Sequence, residues 1–248
     1  MKILLLDIET APNTAHVWGL WDQTVALNHV LESSYVLCWS AKWLGDTTVM
    51  FSSVQKGSPK FMLEWIHKLL NEADAVIHFN GTKFDIPVLN KEFLIHGMNP
   101  PSPYKQMDLL KVVKTQFKFL SNKLDYIAQA LKVGKKTEHH GHMLWIRCME
   151  GDKDAWKVME KYNKNDVVIL EKVYYCLLPW MKTHANYSSF VERESGVVCP
   201  NCGGASYQRR GFAHTQLGKY IRYQCKLCAT WFRGTIKAKP THENTVPL

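Results

Sequence analysis

Apolar positions run unbroken from Ile3 to Leu6 and then alternate with acid in Asp7-Ile8-Glu9-Thr10. This is the pattern of a buried strand whose last residues reach a polar edge. With a side-chain period of two, Asp7 and Glu9 share one face and Ile8 points to the other. Stretches rich in Val, Trp, Tyr and Leu predict further strands over 15–22, 34–43 and 47–54, with Gly45-Asp46 as the turn between the last two. Ser58-Pro59 opens a helix whose apolar stripe runs through Phe61, Leu63, Trp65, Ile66, Leu69 and Leu70, and 75–79 is a short buried strand. Pro87 fits only the first turn of the next helix, which places Asp85 at or near its start, after Asn80-Gly81-Thr82. Asp108 reads as the N-cap of a helix over 109–119, and Ser121 or Asn122 as the cap of one ending at Leu131. A basic loop with several histidines fills 132–142. The order of elements predicts a mixed α/β fold.

The longest helical pattern covers 152–181. Its stripe is Trp156, Met159, Tyr162, Leu170, Val173 and Leu177, with Asp166 in the middle. A carboxylate on a buried face is unusual unless something compensates it. Asn163 and Asn165 interrupt the pattern, and a helix tilted at those residues would leave Asp166 partly exposed. Asp7, Glu9, Asp85 and Asp166 thus stand out by position, and α/β sheets gather their strand ends at one edge. Two carboxylates about 4 Å apart repel by roughly 4 kcal/mol at an effective dielectric near 20. Two divalent ions held about 3.5–4 Å apart would neutralise such a group. Oxygen ligands alone favour Mg²⁺ or Mn²⁺.

Three segments carry a resemblance over roughly residues 1–181: Asp7-Ile8-Glu9-Thr10, Asn80-Gly81-Thr82-Lys83-Phe84-Asp85, and Tyr162-Asn163-Lys164-Asn165-Asp166. In that order they resemble the motifs of the DEDD 3′–5′ exonucleases. That superfamily has a ribonuclease H-like fold and includes the proofreading domains of family B DNA polymerases. Tyr162 stands four residues before Asp166, as in the tyrosine branch; the histidine branch would need His where Lys161 stands. The resemblance implies two-metal hydrolysis of phosphodiester bonds, with Asp7 bridging both ions, Glu9 and Asp166 completing one site, Asp85 supporting the second through water, and Tyr162 orienting the attacking water. Candidate substrate contacts are Thr10, Asn80, Lys83 and Phe84, with Lys135 and Lys136 as phosphate contacts. The expected substrate is a single-stranded DNA 3′ end. An exoribonuclease of the same chemistry and a non-catalytic binding module are the alternatives. His139, His140 and His142 are expected to be solvent-exposed, and His78 to be a satisfied core residue.

Composition adds a second module. The chain has 248 residues and is 46% apolar, enough for one large domain and a small one. No apolar run approaches a membrane span and the N-terminus is no signal peptide, so a cytoplasmic protein is expected. The formal net charge is +9, of which residues 183–248 carry +6 from nine Lys/Arg and three Asp/Glu. A basic tail points to a polyanionic partner such as nucleic acid. Cys199, Cys202, Cys225 and Cys228 form two Cys-x-x-Cys pairs enclosing 22 residues. That spacing suits a single structural Zn²⁺. The segment resembles a zinc ribbon like those of transposase-associated proteins, in which Arg209, Arg210, Lys219, Arg222 and Arg233 interleave with aromatic residues. It would grip substrate or dock on a protein such as a polymerase or another replication or repair factor. The expected organisation is an exonuclease domain over 1–182, a linker over 183–197, a zinc ribbon over 198–239 and a loose tail over 240–248.

Overall fold

The computed structural model describes residues 1–137, 141–192, 196–216 and 218–239. His139, His140 and the expected tail over 240–248 lie outside the described residues. The central sheet has five strands: β1 (Ile3–Thr10), β4 (Val36–Trp43), β5 (Met50–Ser53), β6 (Ala75–His78) and β7 (Lys105–Asp108), in the order β5-β4-β1-β6-β7. The first two pairings, β5 with β4 and β4 with β1, are antiparallel, whereas β6 lies parallel to β1 and β7 parallel to β6. The carboxyl ends of β1 and β6 therefore meet at one edge. This is the mixed α/β sheet that the order of elements predicts.

The period of β1 divides the core. Leu4, Leu6 and Ile8 face α1 (Pro59–Glu72) and α2 (Asp85–Ile95), meeting Met62, Leu63, Ile66, Leu89 and Phe93. Ile3 and Leu5 face the other layer, where α6 (Lys153–Leu177) packs Val167, Ile169, Leu170 and Val173 against them, with α3 (Leu109–Gln116) and α4 (Leu124–Ala130) beside it. Each fully buried aliphatic side chain contributes about 1.5–3 kcal/mol. That layer fixes α6 over β1 despite the acids it carries. Asp7 and Glu9 continue the Ile3–Leu5 face, so they emerge beneath α6. A register shift against β4 between Glu9 and Thr10 bends the strand where the acidic residues end.

Local rules account for most helix starts. Ser58 caps α1, accepting from Phe61 N, and Asp152 caps α6, accepting from Asp154 N and Ala155 N. Asp108 caps α3 through Leu110 N and also accepts from Asn80 N at 2.9 Å, tying the β6–α2 turn to the sheet. Four expectations fail. The strand over 15–22 does not form: only β2 (Thr14–Ala15) pairs, with β3 (Val30–Glu32). Trp18, Leu20 and Trp21 stand 96%, 87% and 85% exposed, because aromatic and branched residues make a strand only where a partner and a core receive them. The helix expected to run to 119 stops at Gln116. The next begins at Leu124, without a side-chain cap from Ser121 or Asn122. His78 is fully buried but unsatisfied: Nδ1 faces Asp108 Oδ2 at 3.9 Å, too long for a hydrogen bond.

The C-terminal segment forms β8 (Tyr207–Thr215), β9 (Gly218–Cys225) and β10 (Trp231–Lys237), an antiparallel sheet ordered β10-β9-β8. It sits at the carboxyl end of α6. Asn201 Nδ2 donates to the carbonyls of Leu178 and Met181, both at 3.1 Å, and Thr230 Oγ1 donates to Leu178 O. Cys202 and Cys228 pack against the same apolar cluster as Leu177, Leu178 and Met181.

Candidate metal centre and nucleic-acid site

β1 brings Asp7 and Glu9 to the edge of the sheet, and α6 lowers Asp166 onto them. Ligand oxygens of the three lie within 4.8 Å of one another. Asp166 is 1% exposed, so the tilt that would have opened it does not occur. Asp7 and Glu9 keep part of their surface open at the mouth of the site. Asp85 is buried at the first turn of α2, and its Oδ1 accepts from Ile8 N at 3.2 Å. It lies outside the group of three but close enough to repel Asp7 and Glu9.

Crowding shows in the proton affinities. Burial, and then the charges of Asp166, Glu9 and Asp85, hold Asp7 well above the usual carboxylate range. Burial pushes Glu9 up to about 8, against the opposing pull of Lys136. Asp85 rises to about 7, again through burial, although backbone donors including Ile8 N–H oppose it. Burial raises Asp166 too, with Lys136 opposing.

Three residues in this pocket carry roles that the sequence pattern did not assign them. Lys136 reaches in from the 132–142 loop, its Nζ 2.5 Å from Asp166 Oδ2 and 3.0 Å from Tyr162 OH. Desolvation pulls its affinity for a proton down, but Asp166, Tyr162 and Asp7 more than offset that, so it stays an ammonium. Asn163, fully buried, donates from Nδ2 to Asp7 Oδ2 at 2.7 Å. Its place three residues before Asp166 on one helix face was the available signal. Trp145, on α5 (Met143–Met149), bonds Glu9 and meets the Tyr162 ring edge-on at 5.9 Å. Neither α5 nor Trp145 had a sequence signal. Tyr162 itself is buried. Burial, then Asp166 and Glu9, raise its phenol above its ordinary value.

Thr10 lines a cavity of about 350 Å³ with Pro12, Gly141, His142 and Trp145. His142 is exposed there, as expected. Asn80 holds a left-handed turn at φ 73° and spends its backbone N–H on Asp108. Lys83 is exposed and Phe84 is 41% exposed beside Asp85.

The residues fit divalent cations. The spacing of the three carboxylates matches hard ions with ligand distances of about 2.0–2.6 Å. Asp166 Oδ1 is buried without a hydrogen-bond partner, which leaves an acceptor for an ion. The four cysteines fit a second kind of metal. Cys199 Sγ lies 3.6 Å from Cys228 Sγ, and Cys202 Sγ 3.6 Å from Cys225 Sγ. A tetrahedron with Zn–S bonds of about 2.3 Å has edges of about 3.8 Å, whereas a disulfide would need about 2.05 Å.

No curated protein sequence matches the chain. Among solved structures, the chain resembles the family B DNA polymerase from the hyperthermophilic archaeon Pyrobaculum calidifontis, with a TM-score of 0.56 and 17% identity. The alignment covers 72% of this chain and 24% of the polymerase, so it describes a shared fold over part of a larger protein. A family model described as the RNase_H superfamily matches residues 4–178, and the chain belongs to that superfamily.

Proposed function

We propose that this chain is a metal-dependent 3′–5′ exonuclease of the DEDD type, tyrosine branch, acting on single-stranded DNA ends. The observation that carries the reading is the meeting of Asp7, Glu9 and Asp166 within 4.8 Å, with Tyr162 one turn before Asp166 on α6. Family membership supports a nuclease-type activity, and the polymerase neighbour shares the fold. The polarity and the preference for DNA follow from the motif resemblance.

Asp7, Glu9 and Asp166 would hold Mg²⁺ or Mn²⁺, with Asp85 supporting them from the end of α2. When bound, such ions supply activated water near neutral pH and neutralise charge on the scissile phosphate. Tyr162 stays protonated at neutral pH, so its hydroxyl orients the nucleophile and takes no proton from it. Asn163 fixes the Asp7 carboxylate through its donated hydrogen bond. The cavity lined by Thr10, Pro12 and Trp145 has room for a terminal nucleoside next to Glu9. Cys199, Cys202, Cys225 and Cys228 would hold one structural Zn²⁺, making the C-terminal sheet a zinc ribbon.

The test is digestion of 3′-labelled single strands of DNA and of RNA, with Mg²⁺, Mn²⁺ or no divalent ion. Metal-dependent release of mononucleotides from the 3′ end is expected, and it should vanish in D7A. Digestion that survives in D7A removes the mechanism, and faster cleavage of RNA reassigns the substrate.

A further inference from the structure

The ribbon presents an unpaired basic face. Between Val198 and Lys239 the sequence has eight Lys and Arg and no Asp or Glu. Four thiolates around one Zn²⁺ would contribute a net −2, leaving a strong positive excess. Among the described residues none of those eight cations takes part in an ion pair. The ion pairs among the described residues all belong to residues 2–171.

The arginines lie on aromatic rings instead. Arg222 and Arg233 are direct register partners across β9 and β10, so two guanidinium groups stand side by side on one face. Like charges directly opposite in a sheet are destabilising by about 0.2–1 kcal/mol. Among the described residues no carboxylate forms an ion pair with either arginine. The Arg222 guanidinium lies 5.1 Å from the Trp231 ring centroid, and that of Arg233 lies 4.2 Å from the Tyr220 ring. Strand alternation puts Tyr220, Arg222, Trp231 and Arg233 on the face opposite Ile221, Tyr223 and Phe232, and the latter three, with Asn186, Val191 and Val198, line a cavity of about 590 Å³ that Arg233 also borders. Trp231 is 50% exposed. Paired cations next to an open aromatic surface match a polymer with a regular anionic backbone and flat bases. An acidic protein surface would satisfy the charges but would leave Trp231 without a stacking partner.

We infer that the Arg222–Arg233–Trp231 face of the ribbon is a second binding site, taking a single-stranded nucleic acid by phosphate contact and base stacking. It sits away from the acidic pocket. From Asp166 to the end of α6 at Leu177 the helix rises about 16 Å, which is about five stacked nucleotides at roughly 3.4 Å each. The ribbon therefore holds the strand several nucleotides from the reacting end.

Binding is measured without cleavage, so its result is separable from that of the nuclease reading. The protein is the full-length, zinc-loaded chain carrying D7A, and the readout is fluorescence anisotropy on labelled 20-nucleotide single strands of DNA and RNA between 50 and 200 mM salt. R222E/R233E, with R222Q/R233Q as the gentler pair, should weaken binding at least tenfold and reduce the slope of log K against log salt by about 1.4, at about 0.7 per phosphate contact. W231A should cost about fivefold or more with the slope retained. One zinc per chain in each variant shows that the ribbon is intact. Unchanged affinity and slope in the charge variants overturn the inference. So does unchanged nucleic-acid affinity accompanied by lost self-association in sedimentation, which would assign the face to protein contact.

Discussion

Glu9→Gln is expected to stabilise the metal-free chain at pH 8 and to leave it nearly unchanged at pH 5. Burial raises the Glu9 carboxyl from 4.5 to about 8. For an acid whose folded value is raised, the associated stability is fully present below the unfolded value of 4.5. It is lost as pH rises through the folded value of about 8. Ionising a carboxyl displaced that far costs roughly 4–5 kcal/mol, at about 1.4 kcal/mol per decade. Glu9 keeps part of its surface open, so solvent screening removes about half of that. Gln also weakens the bond with Trp145. A gain of about 2 kcal/mol remains, or roughly 4–8 °C in Tm for a chain of this size. The assay is calorimetry of both proteins after stripping divalent ions, at pH 5 and pH 8, repeated with excess Mn²⁺. The order should invert with Mn²⁺, because only the parent retains the full ligand set and gains binding free energy. A metal-free E9Q that melts at or below the parent at pH 8, or a difference that does not depend on pH, would refute the claim that Glu9 is held among uncompensated acids.

Other residues give sharp expectations. Lys136→Met leaves Asp166 buried beside no cation and should cost about 3–5 kcal/mol in metal-free urea unfolding, with Mn²⁺ restoring much of it; an unchanged midpoint would mean that Lys136 does not serve as counter-ion. Asn163→Leu removes the donor to Asp7 Oδ2 and should lower metal-dependent cleavage by about 10–100-fold while raising the Mn²⁺ concentration needed, as read by metal titration. Gly81→Ala would bring a Cβ to within 2.4 Å of the buried His78 ring, and the forced shift should destabilise the chain by about 1–3 kcal/mol in chemical denaturation. Cys225→Ser should release the zinc and open 198–239 to limited proteolysis while the melting of the large sheet persists, since the ribbon has its own sheet.

The local pattern was enough to place β1, β4, β5, β6, α1, α2 and α6, because each carries a clean period, a cap or a proline that acts within a few residues. Asp108 was legible for the same reason: an N-cap is a contact between near neighbours. The acidic residues could be singled out one by one, since each violates the hydrophobic pattern of its own element. β7 escaped notice because Lys105-Gln106-Met107-Asp108 buries little and is a strand only by virtue of lying beside β6. Residues 15–22 show the converse, strand-like in composition but with a strand partner only at Ala15. Only the tertiary structure decided which groups meet. Lys136 and Asn163 look like an ordinary loop lysine and a break in a helix stripe until packing sets one on Asp166 and the other on Asp7, 156 residues away. A period reports which way a side chain points. What it meets depends on which elements cross above it, and that is settled by burial of the whole Ile3–Leu5 layer under α6.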